Sequence, residues 1–226
     1  MSRLIRIAGS LLIVVGVGML AWAITVWQWQ DPVTAVVNRV EQRELAESLE
    51  RSFESRRPVT GSDVASAAER RRVLELEAGA WRRAAKEGDA IAKLRIERLG
   101  LDAVVVNGTR SATLKRGPGR FLGSAMPGQG ELVYIAGHRT TYGAPFSRID
   151  HLRKGDKVSL ELPYGTFEYA VTGSRIVAAD ELSVLRSKGH EQLVLQACHP
   201  RFFASHRFIV YAQPVAFAPP ASPNES

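Results

Sequence analysis

The stretch Gln192–Tyr211 reads Gln-Leu-Val-Leu-Gln-Ala-Cys-His-Pro-Arg-Phe-Phe-Ala-Ser-His-Arg-Phe-Ile-Val-Tyr. Two apolar, β-prone runs, Leu193–Ala197 and Phe208–Tyr211, flank a short polar excursion. Pro200 supports the break, because it fixes φ and cannot donate a ladder hydrogen bond. The first run ends at Cys198, the only cysteine in 226 residues, and the second begins at Arg207. Two successive strands of this kind can set a thiol and a guanidinium side by side. A single cysteine excludes an internal disulfide and a multi-cysteine zinc site.

Outward from this stretch, the chain after Gly88 is a series of short β-prone runs: Ala92–Ile96, Ala103–Val106, Leu132–Ala136, Lys157–Leu162, Thr166–Thr172, Leu193–Ala197 and Phe208–Ala212. Turn signals separate them, among them Asn107-Gly108, Pro127-Gly128-Gln129-Gly130 and Gly155-Asp156. Many short strands with such turns predict a β-barrel or sandwich, with helical patches at Ala112–Arg116 and Pro145–Leu152. The tail Pro214–Ser226 is rich in Pro and Ala and is expected to fray.

Before Gly88 the texture differs. Arg3 and Arg6 precede an apolar run from Ile7 to Trp27, roughly 31 Å long as a helix at about 1.5 Å per residue. Trp22, Trp27 and Trp29 cluster at its far end, where amphipathic rings favour the lipid–water interface. Basic residues before the run and Asp31 after it place the N-terminus in the cytoplasm and the rest outside. Ala21-Trp22-Ala23 resembles a cleavage site, so a signal peptide competes with an anchor, but the apolar run continues past that point. Either way the rest of the chain is exported.

Asp31-Pro32 reads as a helix start, followed by a drifting stripe of Val33, Val37, Val40, Leu45, Leu49 and Phe53. Pro58 and Gly61 break it, and a second helix is predicted from Ser62 or Asp63 to Gly88, carrying Leu74 and Trp81. This segment is expected to be a helical stalk or hairpin that spaces the anchor from the domain. A regulatory lid is the sharper alternative. The division is then 1–6 cytoplasmic, 7–29 anchor, 30–89 stalk or hairpin, 90–215 β-rich domain and 216–226 disordered tail. The net charge of +7 is interspersed rather than blocked, so an anionic surface or cell wall explains it without nucleic acid.

A lone free thiol in an exported protein is an informative oddity, although a buried cysteine can also serve as a small hydrophobe. Its company favours chemistry. His138 ends another apolar run, Leu132-Val-Tyr-Ile-Ala-Gly-His, beside Gly137, which permits close backbone approach. A free thiol has a pKa of about 8.5, and a neighbouring cation favours the thiolate. Cys198 would attack a carbonyl, His138 would protonate the departing amine, and Arg207 would hold the carbonyl or oxyanion. His199 and His206 would point to the opposite face from Cys198 and Arg207, and His151 and His190 lie in charged stretches. A Cys198/His199/His206 metal site matches no familiar ligand spacing.

The set Gly137-His-Arg-Thr-Thr-Tyr-Gly-Ala-Pro-Phe146, then Leu195-Gln-Ala-Cys198, then Arg207, resembles the sortases, cysteine transpeptidases of Gram-positive surfaces. The resemblance covers roughly 90–215, and the His138 motif is most similar to class E enzymes of high-GC actinobacteria. It implies an eight-stranded β-barrel with His138, Cys198 and Arg207 as catalytic residues. It further implies substrate contacts at Thr141, Tyr142 and Ala197. Substrates would be secreted proteins with C-terminal sorting signals, cut at the Thr–Gly bond of a Leu-Ala-x-Thr-Gly or Leu-Pro-x-Thr-Gly signal. The acceptor would be an amine on a peptidoglycan precursor or pilin, and no cofactor or metal is expected. Tyr142 is the residue type associated with Ala over Pro at the second signal position. One departure stands out: the family's usual Thr before the cysteine is Ala197 here. Two other readings stay open, a hydrolytic cysteine peptidase on the same barrel and a catalytically silent tethered scaffold.

Overall fold

The computed structural model describes residues 2–29, 32–55 and 66–220. The alternating runs form eight strands: β1 (Ala90–Ile96), β2 (Leu101–Asn107), β3 (Gly119–Arg120), β4 (Leu132–Ala136), β5 (Lys157–Leu162), β6 (Gly165–Ala178), β7 (Gln192–His199) and β8 (His206–Ala218). They close in the order β1-β2-β3-β4-β7-β8-β6-β5, so of the two all-β architectures the pattern allowed, the barrel is observed. One face of each strand, including Leu94, Val106, Ile135, Leu160, Tyr169, Leu195 and Val210, fills the barrel interior. A smaller apolar layer lies apart from it, formed by Leu132, Tyr134, Ala136, Val177, Val184, Val194 and Ile209. Period-two alternation along β4 and β7 assigns this second layer to the barrel's outer face.

β4 and β5 fall on their predicted bounds. β3 was not anticipated, because two residues carry no period. It pairs parallel with β2 and antiparallel with β4, and its Arg120 is buried, donating to Asn107 Oδ1 and to the Ser124 carbonyl. Burial pushes the Arg120 guanidinium down to about 10. At the other end, β8 runs on through Pro214 to Ala218, past the expected domain end at 215 and into the expected frayed tail. There β8 pairs only with β6, since its pairing with β7 stops at Leu193–Ala212, so the missing Pro214 N–H is tolerated. Phe217 stacks on Phe167 at 4.9 Å and holds this extension down. The helical patches shrink to α4 (Ser111–Leu114) and a single turn at Ile149–His151.

Helix α1 (Ser2–Trp29) contains a span, Ile5–Ile24, of mean hydropathy 2.3 with none of its most apolar stretch buried, long enough to cross a bilayer. Helices α2 (Pro32–Ser55) and α3 (Ala67–Ala84) follow. The expected cap Asp31, the break at Pro58 and Gly61, and the start at Ser62 or Asp63 lie outside the described residues. α3 is capped by Ser66, whose side chain accepts from the Glu69 N–H, and it ends four residues before Gly88.

The stalk expectation needs correction, because both helices lie against the barrel. Leu45 and Leu49 of α2 are buried in the barrel core cluster, while Val37 and Val40 from the same stripe stay exposed. Gln42 accepts from the Val104 N–H and donates to the Arg116 carbonyl, and Glu41 pairs with Arg116 at 2.9 Å. Asn38 donates to the carbonyls of Lys115 and Arg116. Trp81 of α3 is buried and donates to the Ile91 carbonyl at 3.1 Å. An amphipathic stripe shows that a helix buries one face; it does not say against what.

Leu49→Ala in the full chain is expected to lower unfolding stability by roughly 2–5 kcal/mol, the range for a large aliphatic side chain lost from a core. A denaturant titration checks this, and no change would mean α2 stands free of the barrel.

Candidate active site

The site is built by three neighbouring strands. β4 pairs parallel with β7, ending at Ala136–Gln196, and the Gly137 N–H continues the ladder to the Gln196 carbonyl at 2.9 Å. β7 pairs antiparallel with β8, with Cys198 directly opposite Arg207. Since Gln196 directs its carbonyl to β4, Cys198 two residues on does the same. Cys198 and Arg207 therefore form a non-hydrogen-bonded pair, the arrangement in which opposed side chains come closest. The same parity puts Tyr134, Ala136 and His138 on the face of Val194, Gln196 and Cys198. Continuing the β4–β7 register two residues past Ala136 brings His138 beside Cys198. Cys198 thus has Arg207 opposite it on β8, and His138 follows the end of β4 on its other side.

Gly137 is required here by space: a Cβ would stand 2.6 Å from the Phe146 ring. The segment after His138 turns back through Tyr142, Gly143 and Ala144, all at positive φ (53°, 71° and 40°). That turn sets the Tyr142 ring 5.0 Å from the His138 ring, with Lys115 Nζ 5.3 Å from the Tyr142 centroid. Asn38 of α2 fills the space a side chain at Gly143 would need, so α2 also abuts this loop. Thr141, half-buried, accepts the Ala144 N–H at its carbonyl.

His138 Nε2 is buried and has no protein partner among the described residues. Burial holds the His138 imidazole below its ordinary pKa, and the Lys115 cation lowers it further. Held neutral near pH 7, the imidazole can accept a proton and, once charged, return it. Arg207 Nη1 donates to the carbonyls of Ala204 (2.7 Å) and His206 (3.0 Å), which ties the guanidinium to the β7–β8 turn. Tyr134 donates to Gln196 Oε1 beneath the site, and burial pushes its phenol up.

Of the six residues singled out from the sequence, Cys198 and Arg207 are cross-strand partners, His138 lies two residues past the end of β4 on the strand beside β7, and Tyr142 lies against His138. Ala197 is different. It is 1% exposed and packed in the barrel core, on the opposite face from Cys198, so a hydroxyl at this position would point inward rather than at the thiol's face. His151, His190 and His206 are exposed. His199, expected on the far face, is there and partly buried, with Arg139 Nη1 2.9 Å from its Nδ1. Arg139 itself was missed. The available signal was its parity, which sends the residue after His138 away from the thiol face, where a charge must find partners.

The sortase-domain family model matches residues 94–215. Sortase D of Bacillus subtilis (strain 168) is 32% identical over 132 residues, covering 57% of this chain and 65% of that protein. Sortase A of Bacillus anthracis is 30% identical over 121 residues, covering 53% of this chain and 57% of that protein. The chain thus spans less than two thirds of these curated relatives. Among solved structures, sortase E from Streptomyces avermitilis is 33% identical with a TM-score of 0.54, covering 59% of this chain and 93% of that one.

If His138 must be neutral to take the thiol proton, the acid limb of kcat/KM lies below about 6.5, the ordinary histidine value. Lys115→Gln removes a cation that opposes protonation, so this limb should move to higher pH. A pH–rate series on wild type and variant checks the direction; a shift to lower pH, or none, would refute the assignment.

Proposed function

The chain belongs to the sortase family, and on that footing we propose that it is a membrane-anchored cysteine transpeptidase acting on sorting signals of secreted proteins. The observation that carries the reading is the cross-strand pair Cys198–Arg207, with His138 two residues past the end of β4 on the strand beside it. His138 takes the Cys198 proton, and the thiolate adds to the Thr carbonyl of a Thr–Gly bond. Arg207 donates to the resulting oxyanion. Collapse expels the glycine nitrogen, which leaves as an amine with the proton from His138, and a thioester to Cys198 remains. An incoming amine on a peptidoglycan precursor or pilin adds to the thioester. It gives its proton to His138, and the thiolate departs.

Tyr142, held against His138, favours Ala over Pro at the second signal position. The apolar span Ile5–Ile24, preceded by Arg3, supports an N-terminus in the cytoplasm and a barrel outside the cell membrane. Such an anchor confines enzyme and membrane-held substrates to one surface and raises their effective concentration.

The test incubates the full chain with Leu-Ala-x-Thr-Gly and Leu-Pro-x-Thr-Gly peptides, with and without a glycine amine, and reads products by mass. Ligated product is expected; cleavage that added amine cannot redirect would indicate a peptidase instead. Cys198→Ala should give no thioester adduct and no turnover above background, and turnover at the wild-type rate would remove the mechanism. Tyr142→Ala should shrink the preference for Ala on the order of tenfold, the scale of one lost pocket contact. An unchanged ratio would dismiss Tyr142 as a selector.

A further inference from the structure

β4 stops pairing with β7 at the Gly137–Gln196 hydrogen bond, yet β7 continues to Cys198 and His199. By parity the Cys198 carbonyl still faces the side where β4 has ended. Arg139 occupies that position. Its side chain is 3% exposed, and Nη1 donates to the Cys198 carbonyl at 3.3 Å and to His199 Nδ1 at 2.9 Å. Arginine has no acceptor, so His199 must present a bare Nδ1 and carry its proton on Nε2. Nη2 pairs with Asp150 at 2.7 Å, and the guanidinium lies 5.7 Å from the Phe208 ring centroid. Four segments therefore meet on one buried side chain: the His138 loop, the Ile149–His151 turn, the end of β7 and the start of β8.

We propose that Arg139 is a positioning residue that replaces the absent strand neighbour of Cys198 and locks the thiol-bearing end of β7 against the His138 loop. His138 and Arg139 are consecutive, so one dipeptide sends the imidazole to the thiol's outer face and the guanidinium beneath its backbone. A shift of either segment breaks the juxtaposition that proton transfer needs. An apolar side chain of similar size would fill the same volume, and replacing a buried ion pair by apolar groups is often neutral for stability. Arginine supplies what packing does not, directed bonds to a carbonyl and an imidazole that fix their relative position. Its Nε is buried with no partner among the described residues, so the arrangement is not the one that maximises satisfied donors.

This inference rests on the proposed thiol chemistry, and the test separates the two. Full-length Arg139→Met, Arg139→Met/Asp150→Asn and His199→Gln are compared with wild type in three measurements. These are the melting midpoint, the rate of Cys198 alkylation by iodoacetamide, and steady-state transpeptidation. Asp150 is 37% exposed, so removing Arg139 does not strand a fully buried charge. Both Arg139 variants should melt near wild type, with kcat and the alkylation rate lowered on the order of 10- to 100-fold and KM within about twofold, the signature of a misplaced reacting group. His199→Gln keeps an acceptor for Arg139 and should stay near wild type. Wild-type kcat and alkylation in a folded Arg139→Met chain would overturn the proposal. So would activity losses that only track losses in melting midpoint. If wild type turns over no peptide, the transpeptidase reading fails, and the alkylation comparison still decides for or against Arg139.

Discussion

The site depends on β7 being paired on both sides, parallel to β4 and antiparallel to β8. Because side chains alternate with a period of two, one register choice on each side fixes which residues share a face. A slip of one residue at either ladder would turn His138 or Arg207 away from Cys198. The parallel pair is the more demanding one, since it cannot be closed by a hairpin. β5 and β6 fill the long crossover from β4 to β7 and complete the wall that encloses the interior, so the barrel closes through the same segment that lets β4 and β7 pair in parallel.

The face that carries Cys198 is continuous with a layer of apolar side chains, and the opposite face is the barrel core. This explains why neighbours in sequence have such different environments. Cys198 is half-exposed, Ala197 is sealed in the interior, and His199 is tied down by a buried guanidinium. Two buried arginines serve the backbone where regular pairing runs short: Arg120 at the two-residue β3, and Arg139 past the end of β4. Both spend donors on carbonyl groups that the ladder leaves unmet.

Seven of the strands, and the positions of His138, Cys198 and Arg207 at their ends, were legible because their signals are local. Apolar alternation marks a strand, and a reactive residue at the end of such a run marks the rim of a sheet. β3 escaped because two residues show no period, and Arg139 escaped because its partners, Asp150, Cys198 and His199, are distant in sequence. The alternation rule did contain the correct placement of Ala197, one position from Cys198 and therefore on the other face. The family habit of a threonine there drew attention to the hydroxyl instead. The docking of α2 and α3 could not be read from an amphipathic stripe, because the stripe names a buried face and not the surface that covers it. The extension of β8 was hidden by Pro214, whose meaning changes once β7 no longer lies beside it.

The seating of α2 on the barrel also sets a length. Asn38 already touches the carbonyls beside α4, a short stretch after the apolar span ends at Ile24. If the span is embedded as proposed, the chain from Ile24 to Asn38 sets the greatest height the barrel can take above the lipid, and a sorting-signal protein of the proposed kind would have to bring its cleavage bond within that reach.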